Sequence, residues 1–520
     1  MLRRMKRLTV LMVAMTLATV TGVAPVAQAT GSRACDHRVH TVKKLLECVT
    51  VQGVREHQKA LQRIADRNDG TRASGTSGYD ASVDYVVKKM RAAGYLVTVD
   101  PFSFDFFEQL APSEFEQTSP GTVQYVEGVD FFIMDYSGSA DVTAAVTPVD
   151  VVVPIGDNPA NTSTSGCEPE DFAGFTPGNI ALMQRGTCPF AVKAANAETA
   201  LASAAVIFNE GQEPDRSGLL FGTLGEIGVT IPVIGTSYQV GADLATAVDP
   251  QARVFTLTFS ETRHTANVLA ESRRGDPTNV VMAGAHLDSV PAGPGINDNG
   301  SGSAALLEIA EQMAKVRSNN KVRFAWWGAE EAGLVGSLDW VSRQADSGEL
   351  DNVALYLNFD MIGSPNYVRF VYDGDNSDTG TPGDNPPGSE VIEQLFVDYF
   401  GNRHLPTAPT EIGARSDHFG FVLFGIPVGG LFTGAEELKT ADQAATYGGT
   451  AGVALDPCYH QACDTFANNS NRILGQMSDA AAFAILTYAM NTESVTGLIS
   501  TDNLRLQNPE QEMANIDGSS

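Results

Sequence analysis

The chain has 520 residues and combines 34 lysines and arginines with 62 aspartates and glutamates, for a formal net charge of −28. This length exceeds one ordinary hydrophobic core, so we expect two domains. So acidic a chain repels nucleic acid and anionic membranes, which argues against both as partners.

The N-terminus has the pattern of an export leader. Four basic residues between Arg3 and Arg7 precede an apolar run from Leu8 to Val26, and Ala27-Gln28-Ala29 fits the small-x-small cleavage rule. Threonines and a glycine interrupt the run, which makes a membrane anchor the weaker interpretation. We therefore predict a signal peptide over residues 1–29 and a secreted, extracellular protein.

Six cysteines, an even number, favour disulfides over metal ligation in an exported chain. Six cysteines allow fifteen pairings. Proximity in sequence favours Cys35–Cys48, Cys167–Cys188 and Cys458–Cys463. None forms a CxxC pair, which argues against a zinc knuckle.

Residues 30–111 are predicted to open an α/β domain. Residues 36–66 mix apolar and charged side chains at helical spacing, so one or two helices are expected. Tyr79–Ala93 shows the same period, and Gly94 supplies the stop. Residues 95–104 then alternate as a strand does.

Residues 112–256 predict a β-rich insert with sparse helix signals. Within it, Gly178–Glu210 predicts a strand, a cysteine-containing turn, a helix and a strand. No acids cluster with histidines there, so we assign the insert no chemistry.

The α/β pattern resumes over residues 257–500. Glu390–Gly401 and Ser478–Asn491 are predicted helices, and Ile426–Gly434 a buried strand and loop. We expect no stretch after the leader to be apolar enough to span a bilayer. The polar residues 501–520 are expected to form a loosely held tail.

The most informative stretch lies between residues 281 and 360. Three apolar runs there end abruptly in side chains of the metal-binding type: His286 and Asp288, Glu330 and Glu331, and Asp360. Asp298 lies in a Gly/Asn loop just ahead of a helix-like run. Alternating strand and helix signals predict a parallel sheet with crossover helices, whose ligand crevice lies outside the carboxyl ends of the strands. We therefore predict a metal site at that edge.

The candidate ligands are two imidazoles and three carboxylates: His286, Asp298, Glu331, Asp360 and His460. One tetrahedral zinc ion that keeps an open position for water cannot use all five. They suit two metal ions that share a bridging carboxylate. Acids that accumulate at successive strand ends are costly to pack together without a cation.

Neighbouring side chains at a strand end point in opposite directions, so Glu331 can ligate while Glu330 faces the water as general base. Asp288 follows His286 by two residues and so lies on the same side of an extended segment. It could accept a hydrogen bond from the imidazole N–H that does not face the metal, without being a ligand itself. Simpler interpretations exist: Asp298 could cap the following helix. His404 and His418 are interpreted as structural.

The chain resembles a known family in its motifs. HLD, NDNGSGSAALLE, WGAEEAGLVGS, NFDMIG, GARSDHFGF and CYHQAC occur in the order found in exported dizinc aminopeptidases, the family of aminopeptidase Y and the bacterial leucyl aminopeptidases. The resemblance covers about residues 70–105 and 256–490. The insert resembles the protease-associated domain.

The resemblance implies an α/β fold with a mixed, mostly parallel central sheet flanked by helices and the β-rich insert. It implies that single N-terminal residues, preferably large apolar ones, are removed from peptides with a free N-terminus, with two Zn²⁺ per chain. We expect the protein to be a monomer. His286, Asp298 and Asp360 would hold one ion, and Asp298 would bridge to a second held by Glu331 and His460.

The family also implies roles for residues around the ligands. Glu330 would be the base, and Tyr459 the hydroxyl that steadies the oxyanion. Arg415 would orient the substrate amino terminus by positioning Asp360 and Glu330, and Phe432 would line the apolar pocket or belong to the core. A non-proline cis peptide after Asp298 is expected. A Cys458–Cys463 disulfide would hold His460 ready for metal.

Other functions compete with this one. A dizinc carboxypeptidase or dipeptidase would need a basic pocket, and no Lys/Arg cluster accompanies Arg415. A single-zinc cyclase that closes N-terminal glutamine is disfavoured by the complete motifs around His286 and Asp298. A non-catalytic receptor or binding module tends to lose ligands or the base, and all are present here. Cobalt or manganese would suit the same donors as zinc.

Overall fold

The structure is a computed structural model that describes Cys35 and residues 41–154, 159–380 and 385–497. The predicted signal peptide and C-terminal tail lie outside the described residues. The helices are α1 Val42–Cys48, α2 Val51–Ala65, α3 Ser77–Ala93, α4 Phe190–Thr199, α5 Tyr238–Thr246, α6 Gly300–Met313, α7 Val335–Ser347, α8 Ser389–Gly401, α9 His418–Leu423, α10 Ala441–Tyr447, α11 Asn471–Met490 and α12 Glu493–Thr496.

The strands are β1 Leu96–Ser119, β2 Val123–Tyr125, β3 Phe131–Ile133, β4 Ala140–Pro148, β5 Ile180–Gln184, β6 Ala204–Phe208, β7 Val233–Thr236, β8 Gln251–Glu271, β9 Asp276–His286, β10 Asn320–Trp327, β11 Val353–Phe359, β12 Phe370–Tyr372, β13 Ala408–Thr410 and β14 Val428–Phe432.

Threonines cap the first three helices. The side chains of Thr41, Thr50 and Thr76 each accept a hydrogen bond from a backbone N–H three residues on, which satisfies a donor that the helix itself leaves free. Gly94 ends α3 with a φ of 98°, in the left-handed region. Local sequence therefore marks where these helices begin and where α3 ends.

The main sheet is mixed and mostly parallel, as predicted. Its strand order is β13-β12-β14-β11-β9-β10-β8, with β1 paired to β8. Strands β14, β11, β9 and β10 run parallel to one another, whereas β8 and β12 are antiparallel to their neighbours β10 and β14. The carboxyl ends of β9, β10 and β11 therefore meet at one edge.

The insert is joined to this sheet by two long strands. β1 and β8 pair antiparallel from Leu96 and Glu271 to Ser119 and Gln251, and so they cross both predicted domain boundaries, 112 and 256. Their far ends lead into β4-β5-β6-β7-β3, where β4 to β7 are parallel. The predicted strand, turn, helix and strand appear as β5, α4 and β6.

Helix α11 corrects the expectation that no later stretch could span a bilayer. By length and composition, this helix is long and apolar enough to span a bilayer. In the fold, however, 67% of its most apolar window is buried, and Leu474, Ile485 and Tyr488 belong to the core of the main sheet. The apolar side chains of α11 pack in the core. A buried core helix can be as apolar as a membrane-spanning one, so composition alone does not separate the two.

Gly302 marks the closest approach of α6 to β11. A Cβ there would lie 2.0 Å from the carbonyl oxygen of Phe359. We expect Gly302→Ala to lower the free energy of unfolding by about 1–3 kcal/mol, because an overpacked backbone contact must move apart. Thermal unfolding would show this as a lower midpoint.

Gly475, on α11, is the matched control. A Cβ there would meet Val51 at 3.4 Å, an ordinary contact. Gly475→Ala should therefore be neutral or stabilise by up to about 1 kcal/mol through helix propensity. Equal midpoints for the two variants would contradict the packing argument.

Candidate metal centre

The structure brings the five candidate ligands together at the carboxyl edge of the sheet. His286 is the last residue of β9, Asp360 directly follows β11, and Glu331 lies in the turn after β10. Asp298 lies in the loop before α6, and His460 in the loop between α10 and α11. Residues separated by up to 174 positions thus meet because neighbouring strands end at the same edge.

Asp298 lies between the two histidines. Its Oδ1 is 3.1 Å from Nε2 of His286, and its Oδ2 is 3.3 Å from Nε2 of His460. Asp360 Oδ1 is 3.2 Å from His286 Nε2, and Glu331 Oε2 is 3.0 Å from His460 Nε2. The five side chains therefore form two groups that share one carboxylate. The peptide between Asp298 and Asn299 is cis, as the resemblance implies.

Glu330 and Glu331 diverge for a different reason from the predicted one. β10 ends at Trp327, so the two glutamates are not alternating strand residues. Ala329 has a φ of 53° and turns the chain between strand and glutamates. Glu330 Oε2 then lies 3.9 Å from His286 Nε2, while Glu331 faces His460.

Two further side chains contact this group from the protein side. Asp288 Oδ1 lies 3.6 Å from Nδ1 of His286, on the predicted side but beyond hydrogen-bond distance, and it accepts the backbone N–H of Glu330 at 3.3 Å. Ser416 donates to Asp360 Oδ2 at 2.7 Å. Sequence analysis missed Ser416, although its place beside Arg415 in the GARSDHFGF motif was a usable signal.

The electrostatics of the site favour positive charge. Burial opposes protonation of His460, but Asp298 and Glu331 outweigh it and raise its pKa to about 10. For His286, burial is likewise outweighed by Glu330 and Asp360, so its pKa rises. Burial raises the pKa of Glu331 to about 7. Such a group of carboxylates stabilises a cation placed among them.

The donor set fits metal ions. The acids are almost fully buried, and no lysine or arginine of the described ranges forms an ion pair with Asp298, Glu330, Glu331 or Asp360. Oε1 of Glu331 and Nδ1 of His286 are buried without a hydrogen-bond partner. Nitrogen and carboxylate oxygen donors are those zinc accepts. The side chain of His460 is 42% exposed, so the group opens to solvent on that side.

Arg415 does not contact the acids named for it. Its Nη2 lies 2.8 Å from Glu436 and 3.5 Å from the hydroxyl of Tyr459, rather than beside Asp360 or Glu330. The guanidinium is half exposed at the rim of the site, and the acids within its reach are the exposed Glu436 and, at 3.9 Å, Glu437. Tyr459 stacks on His460 with ring centroids 3.8 Å apart.

The remaining predicted residues have clear places. Phe432, half-buried at the end of β14, stacks on Phe370 at 5.8 Å. Buried His418 is 2.8 Å from the carbonyl of Gly413 through Nε2, and His404 is exposed. The structure joins all three cysteine pairs that proximity favoured: Cys35–Cys48, Cys167–Cys188 and Cys458–Cys463. The last pair closes the loop that carries Tyr459 and His460.

The sequence is similar to those of known proteins. A family model described as Peptidase family M28 matches residues 267–485, and one described as PA domain matches residues 146–244. An aminopeptidase of Pseudomonas aeruginosa (strain UCBPP-PA14) is 49% identical over 476 residues, covering 91% of this chain and 88% of that protein. Leucine aminopeptidase 2 of Trichophyton rubrum is 38% identical over 434 residues, covering 82% of each.

The fold is similar to solved structures as well. An aminopeptidase from Aneurinibacillus sp. strain AM-1 aligns with a TM-score of 0.62 at 25% identity, covering 86% of this chain and 95% of that one. BSAP, titled a zinc aminopeptidase from Bacillus subtilis, aligns with a TM-score of 0.53 at 23% identity over 87% and 98% of the two chains. At that identity the second likeness concerns the fold alone.

Proposed function

Because this chain belongs to peptidase family M28 and carries an inserted PA domain, we propose that it is an exported aminopeptidase that releases large apolar N-terminal residues from peptides and uses two zinc ions. As a member of this family it is an enzyme, a metalloexopeptidase. The position of Asp298, with one oxygen toward each histidine, carries the proposal of two ions.

The residues divide between two metal positions. His286 and Asp360 would hold one ion, Glu331 and His460 the other, and Asp298 would be shared. When bound, such a pair of ions polarises the scissile carbonyl and makes water a nucleophile at neutral pH. Ser416 orients the candidate ligand Asp360 through its hydrogen bond, and Asp288 accepts the backbone N–H of Glu330 beside His286.

Glu330 is the proposed general base. It is 9% exposed, lies on the His286 side of the group and is not one of the five ligands. Burial raises the pKa of its carboxyl, which makes it a better proton acceptor. It would take the proton of the attacking water and deliver it to the departing amine.

Tyr459 and Phe432 would contact the substrate. The Tyr459 hydroxyl lies beside the Arg415 guanidinium, which keeps a hydrogen-bond donor available to the developing oxyanion. Phe432 and Phe370 form a stacked aromatic pair that suits a leucine-like side chain. Phe432 follows Leu431, the register partner of Phe359, and Phe359 directly precedes Asp360. The name of the Trichophyton rubrum relative agrees with that preference.

Blocking the substrate amino group is the direct test. We expect leucyl-anilide to be cleaved and N-acetyl-leucyl-anilide to be cleaved about 10⁴-fold more slowly. Acetylation replaces the free amino group by a bulkier, uncharged amide, and the polar groups of a site built to bind a free amino group are then left unpaired. Comparing kcat/KM for the two compounds measures this. Equal rates would end the aminopeptidase proposal. Cleavage of an N-blocked dipeptide with a free C-terminal carboxylate would instead support the carboxypeptidase alternative.

Export and the monomeric state are part of the proposal. Disulfides persist in oxidising compartments, and the structure contains three. Together with the leader pattern, they favour secretion. Expression of the full chain followed by recovery of cell and medium fractions tests this, and gel filtration of the secreted protein tests the monomer.

A further inference from the structure

Two buried charged residues outside the ligand set hold the loop that carries Asp298. They are Asp464, 2% exposed, and Arg72, with no exposed surface. The chemistry proposed above uses neither. The two residues come from different parts of the chain. Each contacts backbone groups of the loop and does not contact the side chain of Asp298.

Asp464 joins the Asp298 loop to the His460 loop. Its Oδ1 accepts the backbone N–H of Asn297 at 2.8 Å, its Oδ2 accepts that of Asp298 at 2.9 Å, and its carbonyl oxygen accepts that of Ile296 at 3.0 Å. Asp464 directly follows Cys463, which closes the disulfide loop of His460. One residue thus sets the backbone of one candidate ligand relative to the loop of another.

Arg72 holds the same loop from its other end. Its Nε donates to the carbonyl of Pro294 at 2.8 Å and its Nη2 to that of Gly295 at 2.6 Å. Its Nη1 donates to the carbonyl of Leu287, the residue after His286. The guanidinium fork therefore ties the end of β9 to the start of the Asp298 loop, a geometry that a lysine ammonium cannot reproduce.

We propose that Asp464 and Arg72 are positioning residues that place Asp298 between His286 and His460. They would thereby set the affinity for the second metal ion, the one that Glu331 and His460 would hold. This inference rests on the metal site of the proposed function. The backbone bonds restrain a carboxylate that must face two imidazoles at once. Groups that orient metal ligands in this way commonly govern metal affinity.

Asp464→Asn and Arg72→Lys test the proposal in the full chain. The amide of Asp464→Asn turns an NH₂ group toward the N–H of Asn297 or Asp298, donor against donor. Arg72→Lys keeps the charge and loses the fork. We expect the second zinc ion to bind about 10–100-fold more weakly to each variant than to the wild type. At limiting zinc, kcat should fall, and saturating zinc should restore part of it, with KM within about twofold of wild type.

Glu210→Gln is the matched control. Glu210 is a fully buried carboxylate in the insert that accepts the backbone N–H of Asn161 at 2.9 Å and pairs with Arg216. Its loss should lower the thermal midpoint without changing zinc affinity. Zinc dissociation constants from competition with a chelator, together with thermal midpoints, separate a positioning role from general destabilisation.

The proposal is overturned if the zinc dissociation constants of both variants lie within about twofold of the wild-type value. It is also overturned if their zinc affinity falls no more than that of a Glu210→Gln protein with the same drop in thermal midpoint. If Asp464→Asn does not fold, Arg72→Lys decides by the same criterion. Zinc affinity is measured without substrate. A wild-type protein that binds zinc and leaves leucyl-anilide intact would thus defeat the proposed function and still allow this comparison.

Discussion

Replacing Glu330 with glutamine is expected to lower kcat by about 10²–10⁴-fold, the usual contribution of a positioned general base. The amide has the shape of the carboxylate but cannot accept the proton of the attacking water. Because Glu330 is not among the five ligands, the zinc content of the variant should match that of the wild type. The measurement is kcat for leucyl-anilide alongside metal analysis of the same sample.

Glu308→Gln provides the comparison for this variant. Glu308 is also a buried glutamate, on α6, and it accepts the backbone N–H of Thr50 at 3.3 Å outside the candidate site. Its substitution should leave kcat nearly unchanged. A Glu330→Gln protein with full zinc and wild-type kcat would show that another group accepts the proton.

Replacing Asp298 with asparagine should have the largest effect on metal binding. Both histidines face its carboxylate, at 3.1 and 3.3 Å, and an amide keeps one oxygen and no charge. Substitutions outside the ligand set commonly cost 10–100-fold in metal affinity, so loss of the shared ligand should exceed about 100-fold. Activity at limiting zinc should fall in parallel.

Zinc-dependent stability gives an independent measure of this loss. A ligand at 100 times its dissociation constant stabilises the native state by about 2.7 kcal/mol. Added zinc should therefore raise the thermal midpoint of the metal-depleted wild type more than that of Asp298→Asn. Equal increases would mean that Asp298 does not bridge two ions.

The sequence predicted the fold class and the membership of the candidate site because both depend on local patterns. Threonine caps and Gly94 delimit the first helices, and apolar runs that end in acids or histidine reappear as β9, β10 and β11 with His286 and Asp360 at their ends. Parallel strands bring such residues to one edge whatever lies between them in sequence.

Predictions that depended on where a side chain points were less successful. The divergence of Glu330 and Glu331 comes from a turn at Ala329 rather than from strand alternation, and Arg415 pairs with Glu436 instead of the acids expected. Sequence could not separate a core helix from a spanning helix in α11, because both are long and apolar.

What the chain determined by itself is therefore the set of strands and helices and the residue types delivered to one edge of the sheet. The tertiary structure alone decided which oxygen of Asp298 faces which histidine, and that Arg72, Ser416 and Asp464 support the site. All three are polar residues in loops or turns. Ser416 at least stands in the GARSDHFGF motif, whereas nothing local distinguishes Arg72 and Asp464 from solvated residues. Their roles arise from burial and from contacts with segments far away in the chain, which only the packed fold creates.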